Sequence, residues 1–281
     1  MNRRAAVLGH PIKHSLSPTL HQAAYKALGL DGWSYDRFDI DRDELAEFFT
    51  TLNDSWAGLS ITMPLKQEVF RLVDHVEPLA QVTGAINTVV FSGQGTQRSS
   101  IGTNTDVYGI VHALGEGKIR SPLHKAAILG AGATASSALA ALAQLGCTTP
   151  VVMVRDLART TSLQAAADRM GIQPTFALLS SAVERLHSMD AIVSTLPPHA
   201  ADPLAKELSM RGKTSHGALL DVAYTPSPTA LIAAWQNIGG SAITGDRMLL
   251  HQAVEQVRLM TGHTGPVEAM SNALENALNS K

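Results

Sequence analysis

The sequence predicts an α/β protein of two domains, the second of them a doubly wound, mainly parallel sheet. Three observations carry that expectation. Strand and helix signals alternate from end to end. At 281 residues the chain is long enough to bury two separate cores. The string ILGAGATA, residues 128–135, reads as a buried strand running through a glycine turn straight into a helix.

In the first third, residues 5–8 form a short strand, and Ser17 and Pro18 open a helix that runs to about Leu28, with Gly29 as its stop. Leu20, Ala23, Ala24 and Ala27 give that helix one apolar face. Residues 33–38 read as a strand. Asp41, with Glu44 three residues on, forms a capping box for a helix ending near Leu52. Residues 59–62 are a further strand, followed by Pro64 at a helix start, and residues 85–91 are another, ending in the loop SGQGTQRSS. A helix begins near Asp106, and GEGKIRSP, residues 115–122, suggests a linker. Strands then follow at about 126–129, 151–154, 174–177, 191–195 and 219–222, separated by helical segments. Two helices, at about 246–261 and 266–278, close the chain; periodicity alone does not say where they pack.

In the glycine turn, Gly130, Gly132 and Ala135 take the three small positions of a GxGxxA fingerprint. Gly130 permits the tight turn, Gly132 lets backbone approach a pyrophosphate, and Ala135 lets helix and strand pack closely. That is a dinucleotide site, with a bare structural turn as the alternative. Past the second strand of such a fold, side chains reach the adenosine ribose, and here the sequence is VVMVRDLART. Arg155 and Arg159 suit a ribose 2′-phosphate, whereas an acid such as Asp156 would suit a free 2′-hydroxyl. The two cations favour NADP, and Asp156 keeps NAD as the weaker alternative.

Composition narrows the partners. With 45% hydrophobic and 16% charged residues the chain is globular, and a net charge of −2 supplies no field for nucleic acid or an anionic membrane. A small-molecule substrate is the default expectation. The single cysteine, Cys147, excludes an internal disulfide and reads as buried packing. The opening MNRRAAVLGHPI lacks the apolar core of a signal peptide, and no segment reaches membrane-spanning length, so a cytoplasmic location is expected.

Four polar clusters in the first domain stand where an open α/β sheet places ligand contacts: HSLSP (14–18), SITMPLK (60–66), GAINTVV (84–90) and GTNTD (102–106). In this order, followed by GAGATA, then DVAYTP (221–226) and GDRMLLHQ (245–252), they closely resemble the shikimate dehydrogenase family over nearly the whole chain. Each motif alone is moderately specific; their joint order is highly specific. The resemblance implies an NADP-linked, reversible reduction of 3-dehydroshikimate to shikimate on the route to the aromatic amino acids. It also implies an N-terminal α/β substrate domain and a Rossmann-type nucleotide-binding domain, the C-terminal helices returning to the first domain and the active site in the cleft between them. The expected boundaries are 1–105 for the substrate-binding and catalytic domain, completed by 241–281, then 106–120 for a connecting helix and linker, and 121–240 for the NADP-binding domain.

Reducing a ketone by hydride leaves negative charge on oxygen, so an acid must supply a proton. Lys66, an ammonium at neutral pH, suits that role, and Asp106 is the family's match for the carboxylate that orients it. Ser15 and Ser17 match the family's contacts with the substrate carboxylate, with N-capping as the other reading of Ser17. Thr62, Asn87, Asp106 and Gln252 would bind ring hydroxyls, and Tyr224 matches a tyrosine near the substrate. Toward the cofactor the family implies Gly130, Ala131, Gly132, Ala133, Thr134 and Ala135 in the turn, Arg155 and Arg159 at the ribose, and Thr195, Pro197 and Gly245 elsewhere. Two serines in SLS resemble the shikimate-using branch; a threonine at the second position would resemble the quinate-using one. Asp156 departs from the family's usual threonine. His10, His14 and His251 recur without a carboxylate or cysteine at ligand spacing, so no metal is expected. The rivals are an NAD-linked quinate or shikimate dehydrogenase and a catalytically silent ligand sensor. Both a monomer and a homodimer stay open.

Overall fold

The structure, a computed structural model, describes residues 2–117, 119 and 122–280. The chain divides into two compact units, one formed by residues up to Thr105 together with those from Leu249 on, the other by Asp106–Met248.

The first unit begins β1 (Arg3–Gly9), α1 (Ser17–Ala27), β2 (Trp33–Asp39), α2 (Leu45–Thr50) and β3 (Trp56–Ile61). It continues with β4 (His75–Val76), α3 (Pro78–Thr83), β5 (Thr88–Ser92) and β6 (Ser99–Thr103). Its sheet runs β2-β1-β3-β5-β6-β4, parallel among the first three and antiparallel at β3/β5 and β5/β6. All six residues of β3 are buried, as a strand covered on both faces requires. Leu8, Trp56, Leu59, Ile61, Val89 and Phe91 fill one core. Ala5, Val7, Tyr25, Tyr35 and Met260 fill another.

Local signals explain the helix ends. Leu28, Gly29 and Leu30 close α1 as a Schellman motif: Gly29 has φ +67°, Leu30 N donates to Tyr25 O at 2.9 Å, and Gly29 N donates to Lys26 O at 3.2 Å. The reciprocal Asp41–Glu44 bonds of the expected capping box are present, but they close the turn ahead of α2, whose cap position falls on Glu44 with no side-chain cap. Glu44 N donates to Asp41 Oδ1 at 3.1 Å, and Glu44 Oε2 accepts from Asp41 N at 3.1 Å. At the start of α1 the cap position falls on Leu16 with no side-chain cap, so Ser17 is already inside the helix and does not cap it.

The second unit starts with α4 (Asp106–Glu116), β7 (Ala126–Leu129), α5 (Ala133–Gln144), β8 (Val151–Val154), α6 (Thr161–Met170) and β9 (Thr175–Leu178). Then come α7 (Ala182–Leu186), β10 (Ala191–Ser194), α8 (Asp202–Arg211), β11 (Ala218–Asp221), α9 (Ala230–Asn237) and β12 (Ser241–Thr244). Its sheet is parallel throughout, in the order β12-β11-β10-β7-β8-β9. Counted from its own first strand, that is the 3-2-1-4-5-6 order of a Rossmann sheet, whose direction reverses between β7 and β10. Trp235 fills the core beside Leu219 and Leu231, its indole donating to Gly217 O at 3.1 Å. Two helices follow, α10 (Gly245–Thr261) and α11 (Val267–Asn279); α11 packs on α1 in the first unit.

Several elements differ from expectation. No α-helix follows Pro64. Leu65 N closes a turn onto Thr62 O and Lys66 O accepts from Ile86 N, so the segment's backbone bonds run to the neighbouring chain, and only a 3-10 turn forms at Glu68–Arg71. The strand expected at 85–91 starts at Thr88; Gly84 (φ +67°) ends α3, and in the stretch between them Ile86 N donates to Lys66 O at 2.9 Å. α3, β4, β6 and β12 carried no recognised sequence signal. The loop SGQGTQRSS turns the chain from β5 into β6. Of the expected linker at 115–122, residues 115 and 116 belong to α4, and 118, 120 and 121 lie outside the described residues. The compact second unit takes in α4, which packs on α5 and β11, and β12, which extends its sheet.

Candidate active site

In the first unit the polar clusters gather at the carboxyl ends of parallel strands and the entry to β5. The chain leaves β1 at Gly9, where an added Cβ would lie 2.4 Å from Thr62 Cγ2 and 2.8 Å from Met63 O. Glycine thus lets the segment leading to HSLSP pass close to the one carrying Thr62 and Lys66. Ser15 Oγ accepts from Ser17 N at 3.3 Å, so both hydroxyls lie at the mouth of α1. Ser17 is buried, and Ser15 half-buried. Thr62 N donates to Leu8 O at 2.9 Å, tying the post-β3 turn to β1. Lys66 is half-buried, and the bond from Ile86 N to its carbonyl sets its turn beside Asn87.

Asn87 is 2% exposed and its amide is oriented from several sides. Oδ1 accepts from Thr105 N at 2.7 Å and from Thr88 Oγ1 at 2.9 Å. Nδ2 donates to Thr105 Oγ1 at 2.9 Å and points to Gln252 Oε1 at 3.5 Å. The backbone donor of Thr105 settles which amide atom is the oxygen, leaving Nδ2 on the Gln252 side. Asn87 and Gln252 are thereby brought together although 165 positions separate them.

Sequence reasoning missed the polar chain behind these residues. Tyr35 OH donates to Ser60 Oγ at 2.6 Å, and Ser60 Oγ donates to Gln256 Oε1 at 2.8 Å. Gln256 Nε2 donates to Thr88 Oγ1 at 2.9 Å. His21 Nε2 lies 3.2 Å from the same Gln256 Oε1, its ring stacked on Tyr35 at 3.9 Å. Burial drives the His21 pKa from 6.5 down to about 3, partly offset by the bond to Gln256, so the ring is neutral. Burial also pushes the Tyr35 hydroxyl far above its ordinary range. Ser60 was visible inside SITMPLK, but nothing in the sequence pairs it with Gln256.

In the second unit Asp106 is the first residue of α4 and is buried. Tyr224 follows β11 on a loop braced by Asp221, whose Oδ2 accepts from Thr229 Oγ1 at 2.7 Å while Thr229 also caps α9. Burial raises the Asp221 carboxyl above its usual value against the lowering pull of Thr229. Burial likewise raises the Tyr224 hydroxyl.

The glycine turn fits a dinucleotide. Gly130 has φ +108°, and an added Cβ there would sit 2.6 Å from Thr195 Oγ1, so only glycine makes this turn without displacement. Gly132 is the cap residue of α5, and a Cβ on it would meet nothing within 4 Å, which leaves room for a phosphate at the helix N-terminus. Ala133 and Thr134 form the first turn of α5, which holds no acid, and Ala135 is fully buried against the sheet. Arg155 and Arg159 are exposed beyond β8. Asp156 between them turns its Oδ1 onto Ala158 N at 2.9 Å, capping a short 3-10 turn, so its carboxylate is engaged locally. Thr195 Oγ1 donates to Leu129 O at 2.9 Å, and Pro197, two residues on, is exposed. Gly245 opens α10 where a Cβ would lie 2.3 Å from Val222 O, a close backbone approach at the end of β11. Among the described residues no group of three or more His, Cys, Asp or Glu converges as a metal site, and no helix is long and apolar enough to cross a membrane.

A Rossmann sheet with a glycine turn at its first strand, joined to a second α/β unit lined with hydroxyls, amides and a lysine, defines a two-unit dinucleotide-binding protein of the dehydrogenase class. Residues 7–89 match the family model described as the shikimate dehydrogenase substrate binding domain, and residues 247–275 match that of the shikimate 5'-dehydrogenase C-terminal domain. The NADP(+) shikimate dehydrogenase of Methanothermobacter thermautotrophicus is 33% identical over 97% of this chain and 96% of its own length. The crystal structure of Mycobacterium tuberculosis shikimate dehydrogenase superposes with a TM-score of 0.85 at 37% identity, covering 98% of this chain and 99% of that one. The Thermus thermophilus shikimate 5-dehydrogenase, solved with NADP(H) and shikimate, gives 0.83 at 31% identity over 98% of this chain and all of that one. The chain belongs to the shikimate dehydrogenase family.

Proposed function

We propose that this protein catalyses the NADP-dependent, reversible reduction of 3-dehydroshikimate to shikimate in aromatic amino acid biosynthesis. The observation that carries the reading is the joint presence, in a chain similar to NADP(+) shikimate dehydrogenases along its length, of the SLS, Lys66, Asn87 and Asp106 motifs and the GAGATA turn. NADPH, when bound, supplies the hydride. Gly130 to Ala135 hold its pyrophosphate at the start of α5, Arg155 and Arg159 pair with its 2′-phosphate, and Thr195, Pro197 and Gly245 complete its binding. The local capping role of Asp156 supports NADP over NAD, because its carboxylate is directed to Ala158 N.

Ser15 and Ser17 donate hydroxyl protons to the substrate carboxylate, and the N-terminus of α1 adds its positive dipole end. Thr62, Asn87, Asp106 and Gln252 bind the ring hydroxyls, and Tyr224 contacts the ring. As the carbonyl carbon is reduced, the Lys66 ammonium stabilises the growing oxyanion and transfers one proton to it, leaving neutral lysine; Asp106 is its carboxylate partner. Oxidation of shikimate reverses these steps, neutral Lys66 accepting the hydroxyl proton. In this reading the enzyme works in the cytoplasm on small-molecule partners alone, as a monomer or homodimer that light scattering distinguishes.

Steady-state rates with shikimate or quinate and NADP or NAD test the assignment, and a large preference for quinate with NAD would overturn it. Lys66→Ala is expected to lower kcat at least ~100-fold, the usual worth of a positioned general acid, with NADP affinity little changed. Survival of full activity in that variant would refute Lys66 as the proton donor.

A further inference from the structure

We infer that Gln256 is a positioning residue for substrate recognition, the hub of a one-directional hydrogen-bond relay that, beside the backbone donor of Thr105, holds the Asn87 amide in its donor orientation. The inference rests on the shikimate reading above and extends it to side chains with no place among the proposed substrate contacts.

Each hydroxyl in the relay has one proton to give, which sets the direction of its bonds from Tyr35 to Thr88; Thr88 Oγ1 then has two acceptors in reach, Asn87 Oδ1 at 2.9 Å and Thr105 Oγ1 at 3.2 Å. At one end Thr105 N donates to Asn87 Oδ1 at 2.7 Å, which makes that atom the carbonyl oxygen, and Thr88 Oγ1 spends its proton on the same atom at 2.9 Å. Thr88 Oγ1 must then accept from upstream, and Gln256 Nε2 donates to it at 2.9 Å. With Nε2 so placed, Gln256 Oε1 faces the other way, where Ser60 Oγ donates at 2.8 Å. Ser60 in turn accepts from Tyr35 OH at 2.6 Å.

The relay is sealed from water. Gln256 is 1% exposed, Thr88 and His21 are fully buried, Tyr35 is 1% and Ser60 4% exposed. A buried amide cannot recover a lost partner from solvent, so reversing one member would leave unpaired donors and acceptors along the line. His21 Nε2 also meets Gln256 Oε1, at 3.2 Å, and because the ring is neutral it adds a donor to the hub without adding charge. Gln256 lies one turn after Gln252 on α10, so a single helix supplies both a proposed substrate contact and the residue that orients its neighbour.

The test compares Gln256→Met, which keeps the volume and removes the amide, with Thr88→Val, which removes the hydroxyl isosterically, and Thr88→Ser, which restores it. KM for shikimate is expected to rise about tenfold in Gln256→Met and Thr88→Val, the cost of one unsatisfied buried group, and to stay within about twofold in Thr88→Ser. KM for NADP is expected to stay within about twofold in all three, a split that general destabilisation would not produce. The side-chain amide resonances of Asn87, assigned by their loss in Asn87→Ala, are expected to move in Gln256→Met. Unchanged KM in both disrupting variants, equal damage from Thr88→Ser and Thr88→Val, or stationary Asn87 resonances would each overturn the relay. Should the wild-type enzyme fail to oxidise shikimate, the functional reading falls, and the Asn87 resonances alone then decide the relay.

Discussion

Acidification should weaken this protein through His21, and the amount follows from its burial. The ring is fully buried, stacked on Tyr35, and its pKa falls from 6.5 to about 3 because the charged form is excluded from the core. Between those values the unfolded chain carries a proton on His21 that the folded chain does not. Stability from this group is therefore fully present above pH 6.5 and is lost as pH falls toward 3. Each pH unit in that window removes about 1.4 kcal/mol, so moving from pH 7 to pH 5 removes about 2 kcal/mol. In His21→Gln, which can still donate to Gln256 but does not titrate, that share of the acid sensitivity should disappear. Urea unfolding followed by circular dichroism at pH 7, 6 and 5 measures the slope for both proteins, and subtraction removes the contribution of every other histidine and carboxylate. Equal slopes in the two proteins would refute the claim that His21 is held neutral in the folded state.

Gly130→Ala should lower both stability, by about 2 kcal/mol, and NADP affinity, since φ +108° is costly for alanine and the new methyl would lie 2.6 Å from Thr195 Oγ1; thermal unfolding and cofactor fluorescence titration measure the two effects. Arg155→Ala should raise KM for NADP about tenfold while changing KM for NAD little, as expected of a charged partner to the 2′-phosphate alone, and equal losses with both cofactors would argue against that contact.

The legible parts of the fold were those written in contiguous residues. The strand-turn-helix around Gly130 needs only neighbouring apolar, glycine and alanine positions, and the same holds for the Asp41–Glu44 capping box and the Gly29 stop of α1. β4 stayed hidden because a strand of two residues is too short to show a period, and it exists because β6 offers it an edge; β12, as long as β7, was missed although β11 pairs with it. The helix read into the segment after Pro64 failed for a related reason: the bond from Ile86 N to Lys66 O draws that backbone outward.

The sequence by itself determined the α/β class, the dinucleotide turn and the family's motif order, since these depend on local backbone needs and on residue types at short spacing. Only the tertiary structure decided that Asp156 caps its own turn, that Ser17 lies inside α1, and that Ser60 meets Gln256 across 196 positions. A hydrogen bond buried between distant segments leaves no periodic trace in either one, because its partners are chosen by how the sheet and the last helices close around them.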